Sequence, residues 1–277
     1  MKTPIPGFTS RIKLASVELK AFFLQKNLHK FAPIKKIKNM RKILFITLLF
    51  ISAGIMNVSA QKGFNIGIGA NYNGTFIINQ NIYGGSPELD YKRTTSFAYN
   101  LQLGYNFFNW LGIKAEVGMT PMGQSYYNHD DIPSITRDVK LSYVTVPVMA
   151  HFSFGGKVFR FYANAGPQFA FLTKATQEYL KNGQPLPKFY NPVTKDSIDV
   201  AKTDIKDRYQ SMDIMARIDI GLDIIIINHI GINVGLSGAY GLTDINASDW
   251  RLKNSSGEYK PSHNAYGGIN FGLRYCF

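Results

Sequence analysis

The last ten residues of the chain alternate without a break. Ile269, Phe271, Leu273, Tyr275 and Phe277 are apolar, and Gly268, Asn270, Gly272, Arg274 and Cys276 between them are small or polar. A period of two with one greasy face is a β-strand. Such a strand either packs its apolar face on a soluble core or turns it to lipid in a membrane barrel whose other face looks inward. The rest of the sequence favours the membrane.

Seven more segments of this kind precede it. They are Gly63–Ile77, Phe97–Phe107, Leu111–Thr120, residues 140–152, Phe159–Phe171, Asp213–Ile226 and Ile230–Leu242. In the second, Phe97, Tyr99, Leu101, Leu103, Tyr105 and Phe107 alternate with Ala98, Asn100, Gln102, Gly104 and Asn106. In the sixth, Ile214, Ala216, Ile218, Ile220, Leu222, Ile224 and Ile226 alternate with Asp213, Met215, Arg217, Asp219, Gly221 and Asp223. The connections alternate too. Polar stretches near 79–94, 127–138, 173–210 and 244–264 are long, whereas those at Asn109–Trp110, Gly155–Lys157 and Asn228–His229 are tight.

Segments of roughly 10–15 residues exceed the ~5–6 usual in soluble sheets and suit a tilted bilayer crossing. An even count of antiparallel strands leaves no sheet edge in lipid. The expected fold is therefore all-β: an eight-stranded antiparallel transmembrane barrel with four long outer loops and short periplasmic turns. A soluble lipocalin-like can or a sandwich is the rival. Phe107, Phe108 and Trp110 are expected in a periplasmic aromatic girdle, and Tyr72 and Tyr240 near the outer one. Pro147 is awkward inside a strand, because it cannot donate to the ladder.

The start of the chain carries a different signal. Arg41 and Lys42 precede an apolar run, Ile43–Ile51, and Val58, Ser59 and Ala60 follow it. A basic flank, a short apolar core and a small-x-small site describe a secretory signal peptide cleaved after Ala60. The run is too short for a comfortable membrane-spanning helix. Met40 stands at a natural start, so residues 1–39 read as an upstream extension absent from the mature protein, 40–60 as signal peptide and 61–277 as the barrel domain. A cytoplasmic tail before a signal anchor is the alternative.

This division changes the meaning of the net charge of +13. Eleven of the 31 basic residues and one of the 18 acidic ones precede Gln61, which leaves 20 against 17. The mature domain is nearly balanced, so its charge gives no reason to expect nucleic-acid binding. Its single cysteine, Cys276, excludes an intrachain disulfide.

In an eight-stranded barrel the interior is just wide enough for side chains. The inward row carries Lys114, Glu116, Arg160, Arg217, Asp219, Asp223 and Arg274, with Gln168, Asn233 and many glycines. Both signs occur, and buried charges are tolerable only when paired. A paired, poorly conducting plug is expected. A narrow conduit or a small-ligand cavity is the functional alternative.

Several segments resemble a known family. They are Ile113-Lys-Ala-Glu-Val-Gly-Met119 with Gly123 after it, Leu141-Ser-Tyr-Val-Thr-Val-Pro147, Phe161-Tyr-Ala-Asn-Ala-Gly-Pro167, Asp219-Ile-Gly221 and Tyr240-Gly-Leu-Thr-Asp-Ile-Asn246. In order and spacing they are similar to the PorT-like outer-membrane barrels of Bacteroidota, over nearly all of residues 61–277. The departure is the insert-like stretch 173–210. The resemblance implies an outer-membrane location and tolerance of Pro147 at its place. It also implies that Phe271, Leu273, Tyr275 and Phe277 form a C-terminal signature recognised by the barrel assembly machinery.

No catalytic constellation stands out. His129, His151, His229 and His263 are scattered, and His129-Asp130-Asp131 reads as a solvated loop. Ser142 and His151 share one strand without a third partner. The glycine-rich Gly63–Gly74 precedes no helix, so it is no phosphate loop. The chain is expected to be no enzyme, to need no cofactor or metal, and to work as a monomer in contact with outer-membrane lipid. Three roles stay open. One is structural or surface-recognition work by the loops, with Tyr179, Tyr190, Tyr209 and Trp250 as candidate anchors. The others are an accessory part of a secretion or envelope machine, and a small channel.

Overall fold

The computed structural model describes residues 62–79, 90–127, 135–186, 188–190, 197–199, 202–227, 229–251, 253 and 257–277. The extension 1–39, the signal peptide with its Ala60 site, and His129–Asp131 lie outside these residues.

The long strands are β1 (Gly63–Asn79), β3 (Thr94–Asn106), β4 (Leu111–Tyr127), β5 (Ile135–Gly155), β6 (Phe159–Lys181), β11 (Met212–Ile227), β12 (Ile230–Gly241) and β13 (Ser262–Cys276). Short strands fill the connections: β2 (Asp90–Lys92), β7 (Gln184–Pro185), β8 (Lys188–Tyr190), β9 (Ser197–Asp199) and β10 (Thr203–Asp204). Lys206–Arg208 and Ser248–Trp250 each form one 3₁₀ turn.

All pairings are antiparallel. The long strands pair in the order β1, β3, β4, β5, β6, β11, β12, β13. β13 also pairs with β1, from Asn65 opposite Cys276 to Asn79 opposite Ser262. The tight turns 107–110 and 156–158, with His229 before β12, share one end with the start of β1 and the finish of β13. The long connections gather at the other end.

The period of two sorts the side chains as the sequence predicts. On β3, Leu101 is 60 % exposed while its neighbour Gln102 is 8 % exposed. Phe64, Ile68, Ile218, Leu236 and Phe271 repeat that outward exposure around the sheet. A soluble domain does not leave such a continuous apolar wall uncovered. Tyr72, Tyr240, Phe107, Phe108 and Trp110 all stand on the outside.

The expected eight-stranded closed barrel, with four long outer loops and short periplasmic turns, is overturned on two counts. First, among the described residues the main sheet has eleven strands, not eight, and β8 with β9 forms a separate pair. The connections explain the difference. β2 docks on the loop end of β4, and β7 and β10 dock on the loop end of β6. Those strand ends would otherwise expose unpaired N–H and C=O groups, and the polar connections supply partners for them.

Second, the ladder is not continuous. Between β4 and β5 the pairing passes from Ala115 opposite Val148 to Gly118 opposite Thr145. Between β5 and β6 it passes from Pro147 opposite Gln168 to Ala150 opposite Ala165. Pro147 lies in the first gap and Pro167 in the second, and neither has an N–H to donate.

The stretch 173–210 also departs from expectation. β6 continues ten residues past Phe171, to Lys181. The ladder shifts between Ser142 and Tyr143, with Ser142 opposite Lys174 and Tyr143 opposite Leu172. Thr173 is the extra residue, and its hydroxyl donates to the Ser142 carbonyl at 2.8 Å. A bulge of this kind reverses the inward and outward positions beyond it. Leu172 and Ala175 are therefore both buried, while Thr173 and Lys174 between them are exposed.

The lipid-facing assignment gives a direct test. Leu101→Arg should cost ~2–4 kcal/mol if the position lies near the bilayer midplane. Leu101→Ile should cost far less. Unfolding free energies in lipid vesicles measure both, and equal costs would reject this orientation.

Candidate functional site

The inward row of β11 places Arg217, Asp219 and Asp223 on one face, because all three are odd-numbered in an uninterrupted strand. Lys114 and Glu116 share the inward face of β4 by the same rule. The curvature of the sheet brings the two rows together.

Arg217 is the centre of the cluster. Its Nε donates to Asp219 Oδ1 at 2.9 Å and its Nη2 to Oδ2 at 3.1 Å. This two-point pairing fits the planar guanidinium to the carboxylate. Nη1 donates to Glu116 Oε2 at 3.0 Å and to Gln168 Oε1 at 3.4 Å. Lys114 Nζ lies 2.8 Å from the other oxygen of Glu116. One chain of contacts therefore runs from Lys114 through Glu116 and Arg217 to Asp219. Tyr266 extends it by donating to Gln168 Oε1 at 2.8 Å.

A second pair lies nearer the tight turns. Arg274 Nη2 is 3.1 Å from Asp223 Oδ2. Arg160 faces inward beside it but meets no carboxylate within ion-pairing distance among the described residues. Its Nε donates to Ser153 Oγ at 2.8 Å, and its Nη2 donates to the Asn109 carbonyl. Asn233 is buried on the same end. A polar cavity of about 20 Å³ opens here among Lys114, His151, Tyr162, Asp223 and Arg274. That volume holds about one water.

The loop end of the interior has a different character. Met122, Tyr126, Val139, Leu141, Tyr143, Leu172, Met215 and Tyr266 pack into one buried apolar cluster. The inward row therefore holds more than the expected charges and glycines. Of these apolar members only Met215 stood on an inward row in the sequence; Met122, Tyr126, Val139 and Leu172 lie beyond the strand segments read there, and Leu141 and Tyr143 lie in a strand that is apolar on both faces.

Two connections complete the cluster from above. Ile205, before β11, and Ile245, before β13, are each 1 % exposed. Backbone bonds hold them down: Ile205 N–H donates to Ala175 O at 3.1 Å, and Ile245 N–H to Ser262 O at 3.0 Å. Gln210 N–H donates to Ile245 O at 2.8 Å and Ala247 N–H to Arg208 O at 2.9 Å, which joins the two connections.

Asp244 organises the outer surface of this cap. Its carboxylate accepts from the Asn246 and Ser262 N–H groups, each at 3.1 Å, and from Tyr259 OH at 2.6 Å. Arg251 Nε lies 3.1 Å from it. Burial, then the bond to Asp244, pushes the Tyr259 hydroxyl above its ordinary pKa. Burial does the same to Tyr209. Of the candidate anchors, Tyr209 packs on the apolar cluster and Tyr179 is half-buried. Trp250 is exposed, and the Arg208 guanidinium stacks 4.3 Å from its ring centre. The side chain of Tyr190 lies outside the described residues.

The remaining candidates separate. Ser142 faces outward and His151 inward, with His151 Nδ1 2.7 Å from Asn164 Oδ1. They form no pair. His229 meets the Cys276 carbonyl and His263 the Thr243 carbonyl. Among the described residues no group of His, Cys, Asp and Glu has metal-binding geometry. The C-terminal row, Phe271, Leu273, Tyr275 and Phe277, points outward, and Cys276 is buried.

A family model, described as outer membrane protein beta-barrel domain, matches residues 59–247. The chain belongs to this family. It is an outer-membrane β-barrel protein, in contact with the lipid of that membrane. No curated protein matches in sequence. Among solved structures, Neisserial surface protein A is 13 % identical, with a TM-score of 0.39 over 78 % of this chain and 98 % of that one. The outer membrane protein OprG from Pseudomonas aeruginosa is 10 % identical, with a TM-score of 0.39 over 80 % and 99 %. The outer membrane protein W of Escherichia coli is 14 % identical, with a TM-score of 0.37 over 79 % and 100 %. These are loose likenesses of shape.

The interior chain of charges predicts a steep response to substitution. Arg217→Met leaves Glu116 and Asp219 buried without their shared cation. The expected loss is about 3–5 kcal/mol. Adding Glu116→Gln and Asp219→Asn should recover much of it. Equilibrium unfolding in vesicles reads both variants, and a neutral Arg217→Met would mean that water already screens the cluster.

Proposed function

We propose that this protein is a non-catalytic, poorly conducting outer-membrane barrel that presents a recognition platform at its loop end. One observation carries the proposal: the interior is blocked at two successive levels. Paired charges fill the middle, and an apolar cluster capped by Ile205 and Ile245 fills the loop end. An ion would have to displace both. The cap also gives the loops a rigid base, and binding residues commonly sit on loops held by a rigid frame.

Two experiments test this. In planar bilayers the protein should give no stable, large conductance, and a steady open pore would overturn the blocked-interior reading. A photo-crosslinker at Trp250 reports on the loop end, and one at Lys157 on the tight-turn end. Adducts at Trp250 on intact cells fit surface recognition. Adducts confined to Lys157 would favour the second reading, an accessory of a secretion or envelope machine.

A further inference from the structure

The outer wall changes character at the loop ends of β4, β5 and β6. Along β5 the outward residues run Phe152, Ala150, Val148, Val146, Val144, and then Ser142 and Lys140. Along β6 they run Phe159, Phe161 and onward to Phe171, and then Thr173 and Lys174. Val144 lies opposite Phe171, Ser142 opposite Lys174, and Lys140 opposite Thr176. Lys140 and Lys174 are thus diagonal neighbours directly above the apolar band.

Lys140 has 58 % of its side chain exposed and reaches Glu178 only at 3.8 Å. Lys174 is exposed because the Thr173 bulge turns both residues outward. Across β4, Lys92 of β2 lies opposite Ser125 and is exposed, as is Arg93 after it. On β5 and β6 the acids Asp138 and Glu178 face each other one step farther from the membrane than Lys140. Between the cations sits Gly123, opposite Lys140, with φ of +134°. It presents no side chain, and the place a Cβ would take is filled by the Val139 carbonyl and the Lys140 backbone, so β4 and β5 approach closely beside Lys140. At the loop ends of β1 and β12 the outward residues are instead Phe76, Tyr240 and Leu242. The cationic row is local to one wall.

We propose that this row binds the phosphate groups of a phosphorylated glycolipid in the outer leaflet. Two arguments select that occupant. The row is continuous with the lipid-facing band, so a lipid whose chains lie on Val144 and Phe171 carries its headgroup to Lys140 and Lys174. The charge is complementary, because cations near an anionic lipid surface each contribute favourably. Phosphate offers several acceptor oxygens to the lysine ammonium groups and the Arg93 guanidinium.

The test uses the full-length protein in phosphatidylcholine nanodiscs titrated with bisphosphorylated lipid A. Lys140→Gln with Lys174→Gln should weaken binding by about fivefold per lysine. Lys253→Gln with Lys260→Gln makes the same charge change on the cap and should leave binding unchanged. Dephosphorylated lipid A should bind the parent protein and the Lys140/Lys174 variant alike, and weakly. Inorganic phosphate at millimolar concentration should not compete. Heat-modifiable migration on gels confirms that each variant is folded. Equal loss in both double variants would reduce the effect to net charge and overturn the site. So would full affinity for the dephosphorylated lipid, or competition by free phosphate.

Discussion

A backbone N–H or C=O facing hydrocarbon has no water to bond, and this constraint governs the molecule. Every long strand must find partners along the apolar band. The fifteen-residue register between β1 and β13 joins strands from opposite ends of the domain. It is the pairing with the largest separation in sequence, and it satisfies two strands at once. The two prolines show the limits of the constraint. Pro147 turns inward and is buried, whereas Pro167 is exposed on the outer face, and each stands where a ladder is interrupted. Each missing donor interrupts the pairing for two residues only, and the ladder resumes on both sides.

Once the outside must be apolar, the period of two leaves the inside to the other half of the residues. That half solves its own burial in two ways. In the middle, charges are paired in a chain, and each guanidinium or carboxylate meets more than one partner. At the loop end, apolar side chains pack as in a soluble core. The second solution stabilises by removing surface from water. The first fixes geometry at a desolvation cost that only good pairing offsets. The apolar layer lies where long connections can reach it, and Ile205 and Ile245 come from those connections. The charged layer lies where only strands reach.

Which of these features were legible in the sequence follows from their range. The outward rows of β3 and β11 were plain, because alternation is a property of neighbours. The inward placement of Lys114, Glu116, Arg217 and Asp219 followed from the same rule. The contact between Glu116 and Arg217 did not, since it spans 101 residues and depends on the register of every strand between. The loop end of β6 was missed because the Thr173 bulge breaks the alternation that marks a strand. β2 and β10 were missed because two or three residues carry no periodicity. The Asp244 hub was hidden among polar residues that read as solvated loop.

The cap then acquires a thermodynamic meaning. A flexible loop that orders on contact loses conformational entropy at that moment, and affinity falls accordingly. Here the described residues of the cap around Ile205 and Ile245 are already fixed by their own contacts. Asp244 accepts two backbone N–H groups and the Tyr259 hydroxyl, Arg208 is held over Trp250, and both connections are tied to each other and to β6 and β13. The hydrophobic anchors of the cap are spent inward, on the cluster that blocks the interior. Its exposed side chains are mostly polar, with Trp250 as the exposed aromatic of its 3₁₀ turn. On the proposed reading, blocking the interior and stiffening the outer surface are one structural act, because the same Ile205 and Ile245 side chains, each 1 % exposed, close the apolar cluster and tie the two connections to it.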